Sequence, residues 1–159
     1  MKIWYQSFVN ATAAPSYWDR LSGFLKAQAR PGTELTFHGI DPYDSYAHAL
    51  VEYRCGREAI ANAITASREG YDGYLIGHFQ DSGMYEARAA ASVPVMSLGE
   101  SSMLFACQYG QKVGIITIGL RLRRQCVQQR QQLARLDEAR LVRCASGPAR
   151  ARAAAWGLA

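Results

Sequence analysis

No apolar run in this 159-residue chain approaches the roughly 20 residues needed to cross a bilayer, and no early apolar h-region follows Lys2. Membrane insertion and secretion are therefore not expected, and a cytoplasmic protein is. The four cysteines, Cys55, Cys107, Cys126 and Cys144, have neither metal-ligand nor paired spacing, so reduced thiols and no bound metal are expected. Lysine is absent from Gly119 onward. Met1 to Ile118 carries nine Lys/Arg against eleven Asp/Glu, whereas Gly119 to Ala159 carries nine Arg against two acids. The net charge of +5 thus belongs wholly to the tail.

That tail is rich in Arg, Gln and Ala and loses the strand and helix alternation kept before it. Leu120, Leu122, Val127, Leu133, Leu136, Leu141 and Val142 are too scattered to cover a core face. No further buried strand is expected there, only a partly helical or disordered segment. Nine arginines suffice for nonspecific phosphate contacts, but no aromatic interleaving accompanies them, so nucleic acid is not the expected partner. The abrupt, lysine-free change of composition reads as translation in a shifted frame of GC-rich DNA or as a truncated, rearranged gene.

Ahead of the tail the chain is one domain's worth, with a regular rhythm. Lys2-Ile3-Trp4-Tyr5-Gln6 reads as a strand. Pro15 opens a helix through Trp18, Leu21, Phe24 and Leu25 that stops at Arg30-Pro31-Gly32. Glu34 to Gly39 is a second strand. After the turn formers Asp41-Pro42-Tyr43-Asp44-Ser45, a long helix runs to about Glu69, with Ala59, Ile60, Ala63 and Ile64 on its core face and Gly70 ending it. Tyr74, Leu75 and Ile76 form the near-continuous apolar run of a strand buried on both faces. Val93 to Leu98, a helix over Glu100 to Tyr109, and Lys112 to Ile118 complete the pattern. Such alternation implies an α/β fold with a doubly wound parallel sheet, the carboxyl ends of strands one, three and five lying at one edge.

The third strand ends in Gly77-His78-Phe79-Gln80-Asp81-Ser82-Gly83. In open α/β sheets ligands bind at that end. Asp81-Ser82-Gly83 would supply an N-cap side chain, and the backbone N–H groups of the helix it starts would favour an anion. His78 would sit between sheet and anion site.

In this order of elements the chain from Met1 to Ile118 resembles the aspartate/glutamate/hydantoin racemase superfamily, and within it the hydantoin racemase-like branch. Gly77-His78-Phe79-Gln80-Asp81-Ser82-Gly83 is similar to the family's Gly-Cys-Phe-x-Asp-x-Gly, with an imidazole in place of the catalytic thiol. Val93-Pro94-Val95 leading to Gly99-Glu100-Ser101, then Gly110 before Val113-Gly114-Ile115-Ile116-Thr117, follow the family's fourth and fifth strands. The resemblance implies one lobe of a two-lobe architecture. It also implies cofactor-independent chemistry in which two bases work opposite faces of an acidic α-carbon. Here the second lobe is not recognisable, and neither Cys126 nor Cys144 can be carried over as the second acid/base.

His78 is accordingly the candidate catalytic residue. An imidazole ionises near 6.5 where a thiol ionises near 8.5, so it can act as a base at neutral pH without prior activation. The resemblance implies Gln6, Asn10 and Thr117, with Phe79, Gln80 and Asp81, as substrate-binding candidates. His38, His48, Cys55 and Cys107 are read as packing or surface residues, and Glu52-Tyr53-Arg54 as a solvated helix face in preference to a part of the cleft rim. Three classes follow. They are a racemase-type enzyme acting on a small carboxylate or hydantoin-like substrate, a binding module that keeps the ligand site but has lost the chemistry, and a binder of acidic partners through the tail. With His78 alone the chain should racemise hydantoins, aspartate and glutamate no faster than buffer, unless the tail or a second copy in a homo-oligomer supplies the other base.

Overall fold

A computed structural model describes residues 1–43 and 49–109, together with the backbone of Lys112–Thr117 and Leu141–Ser146. The elements are β1 (Lys2–Gln6), α1 (Pro15–Gln28), β2 (Glu34–His38), α2 (Ala49–Arg68), β3 (Gly73–Ile76), α3 (Met84–Ala90), β4 (Val95–Ser97), α4 (Leu98–Ala106), β5 (Lys112–Thr117) and β6 (Leu141–Ser146). Four strands make one sheet in the order β2-β1-β3-β4, and every pairing in it is parallel. The chain therefore winds outward from β1 to β2, crosses back over β1 and continues through β3 to β4. This is the expected doubly wound α/β sheet. Its switch point lies between β1 and β3, and in open α/β sheets ligands bind at the carboxyl ends of the strands there.

Strand alternation assigns the two faces. Trp4, Gln6, Tyr74 and Ile76 face one side, where Ala63 and Ala66 of α2 and Met84 and Ala87 of α3 close the core over them. Ala59, Ala63 and Ala66 are all fully buried, and this run of small residues on one face lets α2 lie close to the sheet. Ile60 packs at the margin of the same core. The Trp4 ring meets Tyr71 edge-on at 5.2 Å, and the Tyr74 hydroxyl donates to Ala59 O at 2.8 Å, tying β3 to α2. On the opposite face Tyr5 packs against Phe37 at 5.3 Å, and Trp18 of α1 covers Phe37 at 6.5 Å. Pro15 begins α1 and Gly70, at φ +73°, follows the end of α2, both as the sequence suggests.

Two expectations are corrected beyond this sheet. β5 is not hydrogen-bonded into it. β5 pairs with β6 in a parallel two-stranded sheet, register Lys112↔Leu141 to Thr117↔Ser146. The same observation places a strand inside the tail, where none was expected. Leu141-Val142-Arg143-Cys144 is short, but it has the β-branched and apolar content that satisfies the exposed ladder of a strand such as Lys112–Thr117. The chain divides into two compact units, Met1–Gly99 and Glu100–Ala159, so the division falls ahead of the change in composition. The rest of the tail, Cys126 included, lies outside the described residues, as do His48 and Gly110. No helix among the described residues is long and apolar enough to cross a membrane.

Candidate functional site

The candidate site lies where β1 and β3 end. Gly77 N donates to Gln6 O at 2.8 Å, the last rung between the two strands, and Ser7 N donates to His38 O at 2.7 Å on the other side of β1. Any Cβ at Gly77 would collide with the Tyr5 phenol ring, so only glycine lets the strand leave over that ring. Burial pushes the Tyr5 phenol up to about 12, so it stays protonated. Two residues past each strand end the exits meet, with the Phe8 ring edge-on to His78 at 4.3 Å.

His78 Nε2 lies 3.3 Å from Glu52 Oε1, in the first turn of α2. The other carboxylate oxygen, Oε2, accepts a 2.6 Å hydrogen bond from Ser82 Oγ. The side chains of His78 and Glu52 are 22% and 20% exposed, so the pair is mostly withdrawn from water. Burial lowers the His78 pKa from its ordinary 6.5 to about 4. It also raises that of Glu52, against which the Ser82 hydrogen bond works. At neutral pH the imidazole is therefore uncharged.

The site comes together through two glycines. A Cβ on Gly83 would lie 2.5 Å from Gly56 O, and one on Gly56 would lie 3.2 Å from Gly83 N. Gly56 stands one helical turn after Glu52, on the same side of α2. Backbone thus meets backbone there, bringing Ser82 within reach of the carboxylate. For Glu52 the preference for a solvated helix face over the cleft rim is corrected, since its carboxylate meets His78 and Ser82. The missed signal was the Glu52/Gly56 spacing opposite Ser82-Gly83.

The remaining candidates are placed as follows. Gln6 is fully buried at the end of β1, where its Oε1 accepts from Trp4 Nε1, Asn62 Nδ2 and Tyr74 OH, and its Nε2 donates to Ser7 O and His38 O. It braces the floor of the site. Asn10 donates to Ile40 O at 2.9 Å and accepts from Ala13 N at 2.8 Å, so both ends of its amide hold the loop after β1. Phe79, Gln80 and Asp81 follow His78 directly and are half-buried. Asp81 has a left-handed backbone, φ +55°, and its Oδ1 accepts from Gly99 N at 2.8 Å. The expected Asp81 or Ser82 N-cap of α3 is corrected, since Gly83 caps that helix without a side-chain hydrogen bond. Asp81 serves the start of α4 instead, and Ser82 serves Glu52. Thr117 ends β5, and its side chain lies outside the described residues.

His38 stacks on Trp4 with ring centroids 3.4 Å apart, and burial lowers its pKa. Cys55 is buried and Cys107 half-buried, and neither is in a disulfide. Among the described residues no group of three His, Cys, Asp or Glu could hold a metal ion.

A family model described as Asp/Glu/Hydantoin racemase matches residues 8–148. No curated protein sequence matches the chain. Among solved structures, an allantoin racemase from Klebsiella pneumoniae superposes with a TM-score of 0.72 at 19% identity, over 91% of this chain and 58% of that one. An allantoin racemase from Pseudomonas fluorescens gives 0.70 at 22% identity, over 91% of this chain and 60% of that one. An aspartate racemase homologue from Pyrococcus horikoshii gives 0.56 at 12% identity, over 97% and 67% of the two chains. The chain spans about three fifths of the length of the two allantoin racemases.

Proposed function

The chain belongs to the Asp/Glu/hydantoin racemase family, and we propose that its first unit carries one half of a cofactor-independent proton-transfer site, with His78 as the acid/base. The observation that supports this reading most directly is the imidazole at the switch point of the sheet, its Nε2 3.3 Å from the Glu52 carboxylate. By itself an imidazole held near 4 is a weak base. As it takes a proton, the imidazolium forms beside the Glu52 carboxylate, which stands opposite the new charge. The substrate class is a 5-substituted hydantoin, of which allantoin is one, or a related small carboxylate whose α-hydrogen is acidified by neighbouring carbonyls. Removing that hydrogen leaves a planar carbanion delocalised onto the carbonyl oxygen. Protonation at carbon, on either face, completes one turnover.

The test is α-hydrogen exchange. Purified chain is incubated in deuterated water with enantiopure allantoin, a 5-alkyl hydantoin, aspartate or glutamate, and deuterium at the α-carbon is followed by mass spectrometry against buffer. Exchange above buffer with at least one of these is expected, and His78→Ala should lower it by about 10²- to 10⁴-fold, the usual worth of a positioned acid/base. Exchange that survives His78→Ala would refute the assignment. A second reading, a binding module without chemistry, is favoured by the weak basicity of His78. It would give thermal stabilisation by these ligands with no exchange at all.

A further inference from the structure

We propose that Glu52 is a positioning residue, and that it fixes His78 as the tautomer protonated at Nε2 so that Nδ1 is the nitrogen exchanging a proton with substrate. This rests on the acid/base reading of His78, but its physical consequence is present in the resting protein. Glu52 presents Oε1 to Nε2 at 3.3 Å, and an ionised carboxylate can only accept, so the hydrogen must lie on Nε2. Its second oxygen is engaged by the Ser82 hydroxyl at 2.6 Å, a charge-assisted bond that favours the ionised carboxylate. With Nε2 committed, the only lone pair left on the neutral ring is at Nδ1.

The carboxylate is held at both ends of its own geometry. It projects from the first turn of α2, and the Gly56–Gly83 contact one turn further on sets the distance from that helix to Ser82. Phe8 packs edge-on against the imidazole from the β1 side and offers no polar atom. Glu52 therefore does for His78 what a buried carboxylate does for a catalytic histidine elsewhere. It orients the ring, selects the tautomer and stands opposite the positive charge when the proton arrives. A purely structural role, latching α2 to the loop after β3, would require the Ser82 bond but not the His78 contact.

Replacing the carboxylate by an amide separates the two roles. In Glu52→Gln the Ser82 hydroxyl still needs an acceptor, which keeps the amide oxygen on the Ser82 side and turns the NH₂ group toward His78. Nε2 must then accept, and the hydrogen moves to Nδ1. The experiment is long-range ¹⁵N–¹H correlation spectroscopy on the full chain labelled at histidine, at pH 7, with His78 assigned by its loss in His78→Ala. The native chain is expected to give the Nε2–H pattern, and Glu52→Gln a predominantly Nδ1–H pattern. A native Nδ1–H pattern overturns the proposal without any variant, so failure of Glu52→Gln to fold does not shield it. An unchanged Nε2–H pattern in folded Glu52→Gln overturns it as well. Where the native chain exchanges α-hydrogen, Glu52→Gln should slow the exchange about 100-fold at saturating substrate with little change in KM. A tautomer switch between the native chain and Glu52→Gln, with no exchange by the native chain, would refute the acid/base function and leave the positioning of His78 by Glu52 standing.

Discussion

Burying an imidazole penalises its charged form, and His78 makes that penalty measurable in the stability of the fold. Its pKa is lowered to about 4 in the folded protein and returns to the ordinary 6.5 on unfolding, so between those values the unfolded chain binds more protons. The neutral imidazole thus contributes stability that is fully present above about pH 6.5 and is lost as the pH falls toward 4. The full shift corresponds to about 3 kcal/mol. Glu52 works the other way, because its raised pKa makes the folded state the better proton acceptor above the ordinary carboxylate range, and the net loss is smaller. Urea midpoints at pH 7 and pH 5 should therefore fall less in His78→Gln than in the native chain, and an equal fall would show that His78 is not the titrating group. His78 was legible in the sequence because a glycine and a histidine directly follow an apolar strand. Glu52 was not, because its partner lies 26 residues away and only the docking of α2 against the loop brings them together.

Elements are joined here at points where no side chain can stand, and the crossing of α2 with the loop before α3 is the tightest of them at the site. Gly83 has φ +80° and its missing Cβ would lie 2.5 Å from Gly56 O. Gly83→Ala should therefore cost both a left-handed alanine and a backbone clash, on the order of 2–3 kcal/mol, read as a lowered urea midpoint. At Gly56 the nearest atoms would be 3.2 to 3.4 Å from a new Cβ, a tight contact rather than a collision, and the backbone is not strained. Gly56→Ala should cost only about 1 kcal/mol. It should nevertheless push Ser82 off Glu52 and weaken α-hydrogen exchange more than stability, and a loss of stability as large as that of Gly83→Ala would contradict the geometry. The order of elements through β4 was legible from hydrophobic periodicity and the turn residues around Pro15 and Gly70. Their ends were less so. α4 starts at Leu98 rather than Glu100 because Gly99 N donates to Asp81, a cap supplied by a residue 18 positions earlier. β5 was placed in the wrong sheet because a run such as Val113-Gly114-Ile115-Ile116 specifies a strand but not its partner.

Counting bases governs the behaviour of the whole molecule. Racemisation needs an acid/base on each face of the α-carbon, while His78 and its Glu52 partner supply one face from one unit of the chain. A carbanion formed at a single base regains its hydrogen mainly from that base, which has meanwhile exchanged with solvent, and deuterium then enters with retention of configuration. Exchange should accordingly outrun loss of optical rotation several-fold when both are measured on the same sample of enantiopure hydantoin and corrected for buffer. A second copy of the chain facing the first would bring another His78, and racemisation would then rise with protein concentration faster than linearly. Racemisation that keeps pace with exchange at every concentration would overturn the one-base reading and require a second acid/base within the same chain. His78→Cys separates these cases. It restores the thiol found in the resembling motif but leaves the other face empty, so it should change the rate of exchange without bringing racemisation level with it.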